Sequence, residues 1–260
     1  MAEVFLGDCP VLENTKLARQ TFLLRLYAPA IAKFGLPGRF VMVRPGPARG
    51  KGAGLLLKRP FSLHRLGPGE EISLLYRVVG AGTQILSRVR PGESLELLGP
   101  LGHGFAPPRD LSRAYLAAGG IGLAPMLALA EKLAPRTRLT LFYGEQSEPD
   151  VLPGSYLDLF PARLVLTTDD GTAGLKGLVT GPLAEALARE PAPVFACGPR
   201  LMLAEAAALA ASAGVLAQVS MEERMACGLG VCLGCATKTA GGYARVCVEG
   251  PVFAAGEVEW

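Results

Sequence analysis

Four of the chain's six cysteines fall between positions 227 and 247, in the order Cys227-x4-Cys232-x2-Cys235-x11-Cys247. Residues 221–260 are rich in Gly and Cys, too few to bury a core of their own, so this end of the chain needs a staple. A disulfide framework would spread its cysteines and follow a secretory signal. The N-terminus, Met1-Ala2-Glu3-Val4-Phe5, has no basic region leading into an apolar run. The expectation is therefore a metal centre in a reducing compartment, hence a cytoplasmic protein. Structural zinc sites usually pair their ligands in two short C-x2–4-C knuckles. Here three cysteines share one loop and the fourth comes alone, the layout of plant-type 2Fe–2S ferredoxins, though with a shorter gap to Cys247. Gly228, Gly230 and Gly234 let that loop wrap closely, because Gly tolerates positive φ. Zinc and an incidental thiol cluster are the alternatives.

The remaining 220 residues divide by texture. Residues 1–107 carry short β-rich runs separated by Gly/Pro turns: 21–27, 39–44, 61–64, 71–79 and 94–98. That spacing predicts a small antiparallel barrel. Residues 108–220 alternate strand and helix. Strands are expected at 114–117, 137–143, 163–167 and 194–197, with helices ending near Lys132 and spanning 178–190 and 201–213. The alternation predicts a doubly wound parallel sheet. The third segment, 221–260, is the small cysteine domain. The net charge is only +3 and the 26 basic residues are scattered, so no nucleic acid is expected. The uncharged stretch 114–130 is broken by Gly119, Gly120, Gly122 and Pro125, which excludes it as a membrane span.

Two turns at predicted strand ends carry nucleotide-binding chemistry. Gly119-Gly120-Ile121-Gly122 lies between a strand and a helix, where glycines admit a pyrophosphate to backbone donors. The same glycines would serve a tightly packed strand–helix turn. Cys197-Gly198-Pro199 ends another strand. In the barrel, Arg59-Pro60-Phe61-Ser62 offers a cation, an aromatic face and a hydroxyl, and Tyr76-Arg77 with Gly80-Ala81-Gly82-Thr83 repeats the combination. A plain strand with Phe61 inward and Ser62 outward is the alternative there.

In order, Arg59-Pro60-Phe61-Ser62, the Gly119–Pro125 turn and Cys197-Gly198-Pro199 resemble the ferredoxin–NADP reductase superfamily. That superfamily joins a six-stranded FAD-binding barrel to a nucleotide-binding α/β domain. The segment from Met221-Glu222-Glu223-Arg224-Met225 through the four cysteines to Phe253 is similar to the electron-transfer subunits of class 1B dihydroorotate dehydrogenases. The resemblance covers essentially the whole chain. It implies FAD, a 2Fe–2S cluster on Cys227, Cys232, Cys235 and Cys247, and NAD. It also implies an FMN-containing dihydroorotate dehydrogenase catalytic subunit as partner, in a heterotetramer of two of each. Arg59, Pro60, Phe61, Ser62, Leu75, Tyr76, Arg77, Gly82 and Thr83 would contact the flavin. Gly119, Gly120, Gly122, Cys197, Gly198 and Pro199 would serve the nucleotide.

The chemistry requires such a set, since a nicotinamide moves two electrons, a 2Fe–2S centre one, and a flavin either number. Ser62 is expected near the flavin's reactive nitrogen, Cys197 near the nicotinamide, and His64 near the flavin without a proton-transfer role; Cys9 is a structural thiol. Glu145 stands where an acid favours a ribose hydroxyl over a 2′-phosphate, so NAD is expected over NADP. No Lys or Arg occurs from Leu139 to Leu152. Small subunits of NAD(P)H–ferredoxin oxidoreductases or sulfhydrogenases share this plan, but the former typically carry Asp where Cys227 stands. A zinc-stapled binding module is the non-enzymatic alternative.

Overall fold

The computed structural model describes residues 4–46, 57–67 and 70–260. Six strands close an antiparallel barrel: β1 (Phe5–Lys16), β2 (Thr21–Tyr27), β3 (Phe40–Val43), β4 (Arg59–Leu66), β5 (Glu71–Arg77) and β6 (Ser94–Leu101). Their order around it is β1-β2-β5-β4-β3-β6, with β6 returning to β1. Period-2 alternation fills the barrel: Cys9 and Val11 point inward beside Leu24, Leu26, Val41, Leu63, Leu74 and Leu97. Burial pushes the Cys9 thiol up to about 12, with Asp8 adding to the rise, as befits a packing residue. Two short helices, α1 (Pro29–Phe34) and α2 (Ala81–Leu86), belong to the same part of the chain, and α1 packs against β5 and β6.

The second layer is a seven-stranded sheet. It contains β7 (Arg113–Gly119), β8 (Arg138–Glu145), β9 (Arg163–Thr168), β10 (Leu175–Lys176), β11 (Val194–Cys197) and β12 (Ala217–Ser220), all parallel. Along β7 the side chains alternate between two cores. Tyr115 and Ala117 face α5 (Thr180–Arg189) and α6 (Arg200–Ser212), whereas Leu116 and Ala118 face α3 (Leu123–Leu133). A short helix, α4 (Gly154–Leu157), follows β8. No helix among the described residues is long and apolar enough to cross a membrane.

The cysteine segment is not a free tail. It carries the hairpin β13 (Ala236–Thr239) and β14 (Gly242–Arg245), then returns as β15 (Val252–Ala254). β15 pairs antiparallel with β12 and forms the sheet's edge, Val219 opposite Phe253. Helix α3 packs on β4, so barrel and sheet share a wall. His64 lies in that wall, fully buried, with Nδ1 3.1 Å from the Ala124 carbonyl and Nε2 2.6 Å from the Tyr156 hydroxyl. Desolvation pushes its pKa down to about 4, so it is a neutral packing residue at neutral pH.

Candidate functional site

A cleft of about 800 Å³ opens between the barrel and the C-terminal ends of the sheet strands. Arg59, Pro60, Phe61, Ser62, Leu75, Tyr76, Arg77 and Thr83 all line it, so the barrel residues expected at the flavin converge on one space. Gly82 backs them. A Cβ there would stand 3.2 Å from the Arg59 Nε and 3.3 Å from Pro45. Thr83 Oγ1 accepts the Val79 N–H at 2.9 Å and donates to the Gly80 carbonyl at 3.0 Å, which fixes the loop entering α2. Phe61 presents its ring edge-on to Tyr76, 5.8 Å between centroids. The Tyr76 hydroxyl donates to Asn14 at 2.9 Å, and burial raises its pKa, so this phenol is a structural donor. His64 does not line this cleft; it borders a separate, smaller cavity against α3.

The opposite wall comes from Ile121, Ala124 and the segment Ser220–Met225. Its residues Met221–Met225 open the stretch whose sequence carries the resemblance given above, which assigns them no role in the cleft. The signal for such a role is position, since the segment joins the last parallel strand to the first clustered cysteine. Glu222 is open to the cleft yet ringed by protein, and this enclosure raises its carboxyl pKa. The Cys197 thiol donates weakly to it, Sγ to Oε1 3.8 Å. Cys197 is fully buried, and desolvation, reinforced by the Glu222 charge, drives its thiol well above the ordinary value. It is no thiolate nucleophile.

The glycines of the two strand-end turns meet each other. β7 and β11 are neighbours, Ala118 opposite Cys197. A Cβ on Gly122 would stand 2.2 Å from the Cys197 carbonyl oxygen, and one on Gly119 2.7 Å from Pro199 Cδ. Close packing of the two turns against each other leaves no room for a Cβ at Gly119, Gly122 or Gly198. Gly120 differs: its φ is +55° and its open face lies under the Arg77 guanidinium.

Glu145 departs from expectation. Its carboxylate is not free to meet a ribose. The side chain is 1% exposed, accepts Arg77 Nη2 at 2.5 Å and accepts the Tyr143 hydroxyl at 2.9 Å. Burial raises its pKa, while Arg77 and Tyr143 pull it back. Arg77 comes from the barrel, 68 positions away, so the pair spans the two layers.

Beyond Met225 the chain enters the cysteine loop. Gly228 and Gly230 have φ of +71° and +77°. A Cβ on Gly228 would strike Met42 of β3 at 2.7 Å, so the loop is pressed against the barrel. Arg245 donates to the Gly230 carbonyl at 3.1 Å and pairs with Glu249. Cys235 and Cys247 are buried, Cys227 is half-buried and Cys232 is exposed. The Leu229 N–H donates to the Cys227 sulfur at 3.4 Å. Among the described residues, no three His, Cys, Asp or Glu side chains close on one metal-ion position. Four thiols in a 3+1 spacing suit a two-iron unit better than the paired knuckles of a structural zinc site. At Cys227, burial opposes ionisation, but donors from Cys232, Leu229 and Val231 prevail and bring the thiol down to about 6. Desolvation and the neighbouring Cys235 raise Cys247 to about 12. Leu229, Val231 and Leu233 are 51%, 81% and 63% exposed, an apolar rim around the only exposed clustered thiol.

Comparison with known proteins gives a consistent result. Residues 222–259 match the family described as the iron-sulfur cluster binding domain of dihydroorotate dehydrogenase B. The dihydroorotate dehydrogenase B (NAD(+)) electron transfer subunit of Desulforamulus reducens is 39% identical, covering 100% of both chains. Its counterpart in Caldanaerobacter subterraneus is 38% identical over 95% of this chain and 96% of that protein. Among solved structures, an NADH-dependent reduced ferredoxin-NADP oxidoreductase studied for flavin-based electron bifurcation superposes with a TM-score of 0.85. It is 28% identical and covers 97% of this chain and 90% of that one. The ferredoxin reductase in carbazole 1,9a-dioxygenase shares the fold at TM-score 0.69 and 21% identity, over 82% of this chain and 67% of that one.

Proposed function

The chain belongs to the electron transfer subunits of NAD-dependent dihydroorotate dehydrogenase B, and we propose that it carries electrons from an FMN-containing catalytic subunit to NAD. The route runs through a 2Fe–2S cluster on Cys227, Cys232, Cys235 and Cys247 and an FAD in the cleft, in a heterotetramer of two of each subunit. One observation carries this reading. The cleft wall Ser220–Met225 runs directly into Cys227, so the flavin space and the thiol loop are built from one continuous segment. When bound, the flavin exchanges electrons in pairs with the nicotinamide and singly with the cluster.

The residues present fit these groups. The cleft has the size of a cofactor site. Arg59 and Arg77 bring two cations into it, and Arg77 Nε is buried without a partner among the described residues, an available donor for an anion. Phe61 supplies an aromatic face and Ser62 a hydroxyl beside it. Cys197 and Glu222 stand on the far side, where a nicotinamide would approach strand ends. The apolar rim of Leu229, Val231 and Leu233 suits a protein partner better than water. Neither His64, buried elsewhere, nor Cys197, buried and held as a thiol, is set up to take a carbon-bound proton from a pyrimidine.

The deciding experiment purifies the chain alone, measures flavin and iron, and assays it with and without the FMN-containing subunit. NAD-dependent orotate formation is expected only from the mixture. Orotate formation by the isolated chain, or failure of the two subunits to co-purify, would overturn the proposal. A narrower test replaces Arg59. Arg59→Ala removes a charge-assisted contact to phosphate and is expected to weaken FAD binding about ten- to hundred-fold. Unchanged flavin content after dialysis would count against this placement. For nucleotide preference, exposed acids beyond the ends of β8 and β9 include Glu148, Asp169 and Asp170, whereas Glu145 is buried and paired. They repel a 2′-phosphate, so NADH should exceed NADPH in specificity constant by about tenfold or more. Equal values in a dye-reduction assay would refute this.

A further inference from the structure

The Arg77–Glu145 pair stands at the junction of the three parts of the site. Arg77 is the last residue of β5 and lines the cleft. Its Nη1 would lie 3.5 Å from a Cβ on Gly120, so the guanidinium covers the turn between β7 and α3. Nη2 is spent on Glu145 and Nε is buried with no partner among the described residues. Glu145 ends β8, one position beyond the Gly119–Gly144 register pair, so its carboxylate sits beside the same turn. In an open α/β sheet this is where a dinucleotide's phosphates approach.

We propose that Glu145 is an internal stand-in for the dinucleotide's pyrophosphate: it holds Arg77 over the Gly119–Gly122 turn until NAD(H) takes the guanidinium over. The inference rests on the NAD reading above. Two features make the exchange feasible. The Tyr143 hydroxyl also donates to the Glu145 oxygen that Arg77 holds, so a displaced carboxylate keeps a hydrogen bond. A second ion pair between the layers, Arg19 with Asp150, is bidentate at 3.0 and 2.6 Å and keeps barrel and sheet together while Arg77 moves. A pyrophosphate brings more negative charge than one carboxylate, and an Arg can grip phosphate with two N–H donors where Glu145 engages only Nη2. Glu145 thereby lowers the affinity of the cleft for the dinucleotide and leaves the guanidinium positioned for it.

The test uses the flavin- and cluster-loaded protein and calorimetric binding of ADP-ribose, which carries the pyrophosphate but undergoes no redox chemistry. Adenosine, without phosphate, is the control. Glu145→Gln keeps the hydrogen bonds and removes the charge, so ADP-ribose should bind on the order of tenfold more tightly and adenosine unchanged. Glu145→Asp, shorter by one methylene, should shift affinity in the same direction by less. In the unaltered protein, with carbon-13 in its glutamate carboxyls, ADP-ribose should shift one carboxylate infrared band. Unchanged or weaker ADP-ribose binding in the variants would overturn the proposal, as would equal gains for adenosine, altered FAD retention in place of altered ADP-ribose binding, or an unmoved band. An unaltered protein that binds no ADP-ribose would overturn the NAD reading as well, whereas the other results leave it standing.

Discussion

Cys227→Ala is expected to cut dihydroorotate-driven NAD reduction by the two-subunit complex more than about a hundredfold, while FAD stays bound. Loss of residues that merely support a metal's ligands costs about 10–100-fold, and this change removes a proposed ligand outright. Cys227 is a better choice than Cys235 or Cys247, which are buried in the packing. Its removal leaves three thiols for the proposed cluster, so iron and acid-labile sulfide, each near two per chain in the unaltered protein on the plant-type reading, should both fall. Flavin retention follows from placement, since Arg59 to Ser62 and Thr83 belong to the barrel. NADH-driven dye reduction at the flavin should therefore survive. Stoichiometric zinc without iron in the anaerobically purified parent would sink the assignment, and so would full electron flow in the variant.

Gly122→Ala is expected to destabilise the protein by about 3 kcal/mol or more, although it adds a single methyl group. The new carbon would stand 2.2 Å from the Cys197 carbonyl oxygen, 2.4 Å from its carbon and 2.7 Å from the Gly198 nitrogen. All three are backbone atoms, held by the β7–β11 register, so no flexible side chain can yield. Overpacking of this kind costs about 1–3 kcal/mol even where neighbours can shift. Gly181→Ala in α5 is the matched control. Nothing lies within 4 Å of its new carbon, and the change should stabilise by up to about 1 kcal/mol through helix propensity. Unfolding midpoints of both variants, with cofactors bound, measure the contrast. A Gly122→Ala midpoint equal to the parent's would show that the turns are not pressed together.

The sequence is most legible where the signal is periodic. β2 and β11 fall where alternation and apolar runs predict them, and α5 and α6 within two residues. β1 is the longest strand, yet it escapes notice because Asp8, Pro10, Glu13 and Asn14 interrupt it. Only pairing with β2 and β6 reveals that Cys9 and Val11 point inward. β15 has three residues and no signal apart from its partner β12. The barrel side of the site is readable because one strand segment carries cation, ring and hydroxyl together. Glu145 is misread for the opposite reason. Its partner lies 68 positions upstream on another layer, and nothing local distinguishes a carboxylate waiting for ribose from one already paired. The turn glycines carry a similar ambiguity, because a phosphate and a neighbouring backbone both demand the missing side chain.

The return of β15 to the sheet has an engineering consequence. The thiol segment is anchored at both ends, inserted between two strands that lie side by side, so it is not a detachable appendage. Cutting the chain after Ser220 would remove the cysteines but also strip β12 of its outer neighbour and uncover Val219, which is 1% exposed. The truncated protein would present a bare sheet edge to its surroundings and tend to aggregate. A cluster-free reductase calls instead for excision with a short bridge that keeps β15. Conversely, grafting this electron port onto a related flavoprotein requires two splice points, one leaving β12 and one re-entering at β15.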